Sequence, residues 1–233
     1  MKLKIFHLYA NNINFGDEGS AQGIKKLLQS HINRDICFEN HFVALKDLSD
    51  EEIKKINKEF DLVVIGGGGL YWSGSKKLLF RVTQKKIQQI TKPIITYAVG
   101  VNSELAKKDE ITKIKKNIFA LNKYVSLHSV RDVYSREICE DMGISSYLVP
   151  CPSMFLNPSN EPFNFIENKK KKIGFTLIPT TRLPKEIHEN YLTVIAGVIV
   201  ELSKKYDCFL INHVKEVTRS YYDLIKKVDI PLI

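Results

Sequence analysis

No two cysteines of this chain are spaced to hold a zinc ion or a disulfide framework: the 4 that exist, Cys37, Cys139, Cys151 and Cys208, stand far apart with no C-x-x-C pair. The expectation is a protein of a reducing, cytoplasmic compartment with no cysteine-held zinc. Long hydrophobic runs are also missing. The longest, Tyr191 to Leu202, falls short of the roughly 20 apolar residues that cross a bilayer, so it reads as a buried helix. The opening Met1-Lys-Leu-Lys-Ile-Phe-His-Leu-Tyr9 turns polar too soon for a signal peptide and reads as a first strand. Basic residues exceed acidic ones, 35 against 26 for a net charge of +9. The lysines are scattered on helix faces and in one run, Lys169 to Lys172, without an aromatic-interleaved basic stripe, which disfavours nucleic acid. Acidic small molecules or anionic glycans suit that charge as well. No internal repeat of fixed period is present.

What the chain does have is the stretch from Asp61 to Gly74. Leu62-Val-Val-Ile65 reads as a buried parallel strand, and Gly66-Gly-Gly-Gly69 lets the chain leave it tightly while a ligand or a second backbone comes close. Apolar spacing predicts a helix over Lys76 to Ile90, whose free N–H groups would face an anion over the glycines. The plainer alternative is that the glycines only let strand and helix pack closely.

Alternation of strand and helix runs through the first two thirds. Strands are expected at Lys2–Tyr9, Ile36–Leu45, Asp61–Ile65, Lys92–Val101, Tyr124–Val130 and Ser146–Val149. Helices follow Asp17, which would cap the first, and Ser49, whose Ser-x-x-Glu pattern is a capping box; Asp132 opens another that Gly143 ends. This is the pattern of an α/β domain with a doubly wound parallel sheet over residues 1–156. The loops at Asn11–Asp17, Gly66–Gly74, Gly100–Ser103, Arg131–Asp132 and Pro150–Ser153 should share one sheet edge, where ligands of such sheets bind. Residues 157–172 have the composition of a linker, and 173–233 begin a second α/β alternation that stops at Ile230-Pro-Leu-Ile233. That remainder reads as an incomplete second α/β domain, through truncation or a shortened construction of the chain.

Two phosphate-binding patterns do not fit the glycine turn. Gly66-x-Gly68 has Tyr71 where the dinucleotide fingerprint needs a third glycine, and Gln88 and Gln89 stand where it needs an acid. Gly69-Leu-Tyr-Trp-Ser-Gly74-Ser75-Lys76 reverses the Lys and Ser of the nucleotide-hydrolase loop.

Three motifs together resemble the polysaccharide pyruvyl transferase family: Asn14-Phe-Gly-Asp-Glu18, Asp61-Leu-Val-Val-Ile-Gly-Gly-Gly-Gly-Leu70, and Val130-Arg-Asp-Val-Tyr-Ser-Arg-Glu137 with the turn Pro150-Cys-Pro-Ser-Met-Phe155. Ile211-Asn-His-Val214 resembles the family's histidine-bearing strand end. Cys151-Pro152 departs from the Asp-Pro frequent in relatives. The resemblance implies a glycosyltransferase-B-like pair of α/β domains. It further implies transfer of the enolpyruvyl group of phosphoenolpyruvate to two hydroxyls of a polysaccharide or lipid-linked sugar, with peripheral membrane contact where the acceptor is membrane-borne. Under it, Gly67, Gly68 and Gly69 would hold an anion by backbone N–H, and Arg131 would pair with phosphate or carboxylate. His213 would be an acid or phosphate ligand, and Asn14, Gly16 and Asp17 would meet the acceptor or shape the cleft, Asp17 also as an acid or base; position alone, in a Pro-rich loop after the strand Ile173–Ile178, suggests Arg182 as a second cation for the donor. Each has a plainer reading: Asp17 and Asp132 as caps, Arg131 as a bridge to a neighbouring acid, His213 and His128 as structural, Tyr71 and Trp72 as core cover. A nucleotide-sugar glycosyltransferase and a non-catalytic glycan-binding remnant are the competing functions.

Overall fold

A computed structural model describes residues 2–72, 79, 81–102, 108–156, 171–177, 185–212, 224, 226, 228 and 230–231. It divides into two compact units, Met1–Asn12 with Gly16–Pro158, and Ile13–Phe15 with Ser159–Ile233.

In chain order the elements are β1 Leu3–Tyr9, α1 Phe15–His31, β2 Ile36–Phe42, α2 Asp50–Glu59, β3 Leu62–Gly66, β4 Tyr71–Trp72, α3 Gln84–Ile87, β5 Ile94–Tyr97, β6 Val101–Asn102, α4 Lys108–Asn122, β7 Ser129–Val130, α5 Val133–Glu140, β8 Tyr147–Leu148, a 3-10 turn Pro152–Phe155, β9 Lys172–Phe175, α6 Lys185–Ser203 and β10 Asp207–Leu210. The α/β class and the parallel sheet expected from the alternation are what the structure has. The main sheet runs β2-β1-β3-β5, every pair parallel. Isolated parallel bridges, Ile95 to Leu127 and Val99 to Val130, carry the pairing on towards β7, which pairs with β8.

Side chains alternate across this sheet with period two, and both faces are buried. Ile5 and Val64 pack with Ile24 of α1. Phe6, Leu8, Val63 and Ile65 point the other way, into a cluster with Ile53 and Ile56 of α2, Ile114 and Ile118 of α4 and Ile138 of α5. Helices therefore cover both faces, which is what doubly wound means. The chain leaves β1 for β2 on one side and returns for β3 on the other. The carboxyl ends of β1 and β3 flank the point of reversal, where such sheets open a crevice.

Local signals account for several boundaries. Ser49 Oγ accepts from Glu52 N while Glu52 Oε2 accepts from Ser49 N, at 3.1 and 2.9 Å, so the capping box is real. Asp132 caps α5 through Ser135 N at 2.7 Å, and Gly143 follows that helix with φ +69°.

Three expectations need correction. The glycine turn leads to β4, which pairs with β6, and among the described residues of the helix expected over Lys76 to Ile90 only Gln84–Ile87 is helical, as α3; residues 76–78 and 80 lie outside the described residues. Leu79 and Val82 form a short bridge just ahead of α3. Asp17 is not the cap of α1, because that helix begins at Phe15 and Asp17 lies in its first turn. The strand expected over Lys92 to Val101 is interrupted at Ala98, whose φ of +50° is left-handed, after which Val99 bridges to Val130 and the chain runs into β6.

In the second unit β9 and β10 pair in parallel, and Leu192, Ala196 and Ile199 of α6 pack with Cys208 and Leu210 of β10. No described helix is long and apolar enough to cross a membrane.

Candidate active site

Five loops of the first unit meet at the carboxyl edge of the sheet. From β3, Gly66 closes against β5: a Cβ built there would stand 2.4 Å from Tyr97 O, and Gly67 N donates to that same oxygen at 3.3 Å. Gly67 and Gly68 have φ of +84° and +94°, conformations that only glycine adopts without strain. A built Cβ on Gly67 would lie 3.1 Å from Ser20 Cβ, and one on Gly68 would lie 2.4 Å from Asp17 Oδ1. The turn thus lies directly under the first turns of α1. Gly67 and Gly68 are buried and Gly69, beside Asn102, is partly open.

From β5, the left-handed Ala98 is held by a buried pair of hydroxyls. Ser129 Oγ accepts from Ala98 N at 3.0 Å and donates to Thr96 O, while Ser129 N donates to Thr96 Oγ1. A strained alanine fixed this way belongs to the class of backbone features that gather at functional sites. Beyond it Gly100 N donates to Gly68 O at 3.0 Å, tying the two turns together.

From β7, Arg131 N donates to Val99 O at 3.3 Å, and this fixes the side chain above Gly100. The guanidinium lies so close that a Cβ on Gly100 would be 2.2 Å from Arg131 Nε and 2.8 Å from Nη2. The Nε of Arg131 also stands 3.5 Å from Asp132 Oδ2. This is the plainer bridging role, but the pair is part-exposed and worth little to stability. The arginine's charge reaches Asp17 and Cys151 as well.

From α1, Asp17 accepts from Asn11 Nδ2 on Oδ2 at 3.1 Å. Burial pushes its carboxyl above the usual carboxylate range; the positive Arg131 and the Asn11 hydrogen bond pull back without cancelling that. Ser20 Oγ, one turn on, donates to Gly16 O at 2.9 Å and stands 3.6 Å from Cys151 Sγ. From β8, Cys151 Sγ also lies 3.2 Å from Ser153 Oγ. Burial disfavours the Cys151 thiolate, yet the hydroxyls of Ser153 and Ser20 and the Arg131 charge outweigh it, and the thiol is held below its ordinary value.

The cluster is therefore a guanidinium, a carboxyl that keeps its proton unusually long, and an acidified thiol, on two glycine turns. Arg131, Asp17, Gly67 and Gly68 are brought together. Gly16 enters through its carbonyl. Asn14 lies in Ile13–Phe15, grouped with the second unit. His213 and Arg182 lie outside the described residues. Tyr71 is buried core at 3 % exposure, whereas Trp72 is 40 % exposed. His128 is buried, with Nδ1 3.5 Å from Tyr71 Oη, and burial holds its pKa at about 4, as it does for His7 of β1. Neither histidine carries charge at neutral pH.

Sequence reasoning placed Asn11, Gly100 and Cys151 in loops of this edge without giving them a role, and it passed over Ser20. For Cys151 the signal of a role was the departure from Asp-Pro in the last turn.

Alkylation should single out Cys151. In a Cys37→Ser background, iodoacetamide should modify Cys151 at neutral pH faster than a simple thiol, with a rate that levels off at lower pH, because a lowered pKa leaves more thiolate. Cys139, buried and pushed up to about 11, should stay intact. Peptide mass mapping reads both, and a Cys151 rate still climbing at the pH of ordinary thiols would contradict the acidification.

Comparison with known proteins adds a family. A family model described as polysaccharide pyruvyl transferase matches residues 14–230. No curated protein sequence matches. Among solved structures, the E. coli heptosyltransferase WaaC with ADP-2-deoxy-2-fluoro heptose aligns over 99% of this chain and 76% of its own, at 9% identity and a TM-score of 0.38.

Proposed function

The chain belongs to the polysaccharide pyruvyl transferase family, a family of transferases, and from that premise we propose that it moves the enolpyruvyl group of phosphoenolpyruvate onto a sugar of a cell-surface polysaccharide. Two hydroxyls of the acceptor form C–O bonds to C2 of the donor, the C2–O bond to phosphate breaks, and the methylene carbon takes one proton to become a methyl group. The products are a pyruvate ketal and inorganic phosphate. One hydroxyl proton is balanced by that methyl group and the other leaves with phosphate. No redox change occurs and none of these steps calls on a cofactor.

The observation that carries this reading is the Arg131 guanidinium laid on Gly100 with Asp17 within reach of its charge. A donor bearing a phosphate and a carboxylate needs a fixed cation, and Arg131 offers planar, two-pronged donors for either group. Proton transfer needs a carboxyl raised from its solution value towards neutrality, which burial provides at Asp17. Gly67 N–H is engaged by Tyr97 O, so in this reading Gly67 and Gly68 shape the floor beneath Asp17, and the partly open Gly69 is the glycine left to approach the anion. Asn14 and Gly16 border the acceptor. We assign His213 as acid or phosphate ligand from the Ile211-Asn-His-Val214 motif and Arg182 as second cation from its position in the chain alone. The reaction is placed in the cytoplasm, where the thiol of Cys151 stays reduced, with a polysaccharide or lipid-linked sugar as acceptor.

The experiment is to incubate the chain with phosphoenolpyruvate and a β-galactoside and follow phosphate release and a ketal methyl signal by NMR. Both should appear together and depend on acceptor. Absence of both, with thermal stabilisation by a uridine or guanosine diphosphate instead, would replace this reading by nucleotide-sugar transfer.

A further inference from the structure

Asp17 is restrained at both of its oxygens. Asn11 Nδ2 donates to Oδ2 at 3.1 Å, and Oδ1 lies over the bare Cα of Gly68, so close that a Cβ there would be 2.4 Å away. An ionised carboxylate only accepts, so the amide edge that Asn11 turns to it must be its NH₂ group.

We propose that Asn11 is a positioning residue for the transfer reaction: its amide holds Oδ2 of Asp17 and so fixes the orientation in which this carboxyl, laid over Gly68, gives and takes its proton. The inference rests on the reading of Asp17 as an acid–base group. It explains why a residue with φ +94° and no side chain is needed at position 68: anything larger would push Oδ1 aside. The charge of Arg131 favours the ionised form of Asp17, and the carboxylate in turn acts on Tyr9 of β1. That phenol, pushed to about 12 by burial and by the carboxylates of Glu18 and Asp17, is neutral throughout the working range.

Asn11→Leu removes the donor at nearly constant size. In the phosphate-release assay kcat should fall by roughly 10- to 100-fold with KM for phosphoenolpyruvate within about twofold, because orientation and not binding is lost. Since the Asn11 hydrogen bond lowers the Asp17 pKa, its removal should move the acid limb of the pH–rate profile to higher pH. In an Asp17→Asn background the same change should have little further effect. NMR titration of the isotopically labelled Asp17 carboxyl should show the same upward shift without any turnover. Asn11→Ser, small and polar, is read in parallel so that unfolding of the leucine variant still leaves a result. An unchanged kcat and acid limb in a folded Asn11 variant, or losses that multiply fully with those of Asp17→Asn, would overturn the proposal. An upward carboxyl titration in a wild-type chain that releases no phosphate would instead overturn the reaction, leaving the Asn11 hydrogen bond established.

Discussion

Gly100→Ala is expected to abolish most activity while leaving the fold almost untouched. The position has no left-handed φ, so alanine suits its backbone, and the three atoms nearest its Cβ, from 2.2 to 2.8 Å, belong to the guanidinium of Arg131. That guanidinium is the far end of a flexible side chain, so it moves and the backbone stays. Losing the part-exposed Arg131–Asp132 contact costs stability under about 1 kcal/mol. Losing the cation's place costs catalysis, since displacing a positioned group by about 1 Å is worth roughly 100-fold in rate. Arg131→Ala should lose at least as much, and Arg131→Lys should recover little, because an ammonium cannot reproduce the planar fork. The pattern to look for is a fall in phosphate release of about 100-fold or more in both Gly100→Ala and Arg131→Ala, with melting temperatures within a few degrees of wild type. A fully active Gly100→Ala variant would mean that Arg131 plays no part at its observed place.

Much of this site is visible in the sequence, for a reason specific to parallel sheets. Strands buried on both faces are continuous apolar runs, as in Leu62-Val-Val-Ile65, and the crossover rule then puts every loop that follows a strand on one edge. Asn11–Asp17, Gly66–Gly69, Gly100, Arg131 and Cys151 therefore meet, although up to 140 residues separate them by roughly the chain arithmetic of an α/β domain. What the sequence does not carry is which atoms touch. The four glycines signal close approach without saying by what, and the answer is α1 itself: Ser20 over Gly67 and Asp17 over Gly68. The left-handed Ala98 has no sequence signature, because it is imposed by Thr96 and Ser129 from the sheet below. The helix expected after Gly74 was read from apolar spacing alone. Leu79 and Val82, both fully buried, instead make a bridged turn before α3, and short apolar spacings do not separate those outcomes.

Gly23→Ala should be the most destabilising small change in the first unit, although propensity argues the reverse. Gly23 lies inside α1, where alanine in place of glycine would favour an isolated helix by about 1 kcal/mol. Here a Cβ would stand 2.0 Å from Pro152 O and 2.4 Å from its carbonyl carbon, both backbone atoms of the turn after β8. Backbone cannot rotate away as a side chain does, so α1 and the Pro152–Phe155 turn must separate, and overpacking of this kind costs roughly 1–3 kcal/mol or more. The net expectation is a loss of about 2 kcal/mol, or roughly 4–8 °C in melting temperature for a domain of this size. The same separation would draw Cys151 away from Ser20, now 3.6 Å apart. The alkylation of Cys151 should therefore slow at neutral pH along with the fall in stability, as the thiolate loses a hydroxyl. Thermal unfolding by circular dichroism and the iodoacetamide rate read the two effects separately. A variant as stable as wild type would show that α1 does not rest on the Pro152 carbonyl, and an unaltered Cys151 rate in a destabilised one would remove Ser20 from the set of groups that acidify the thiol.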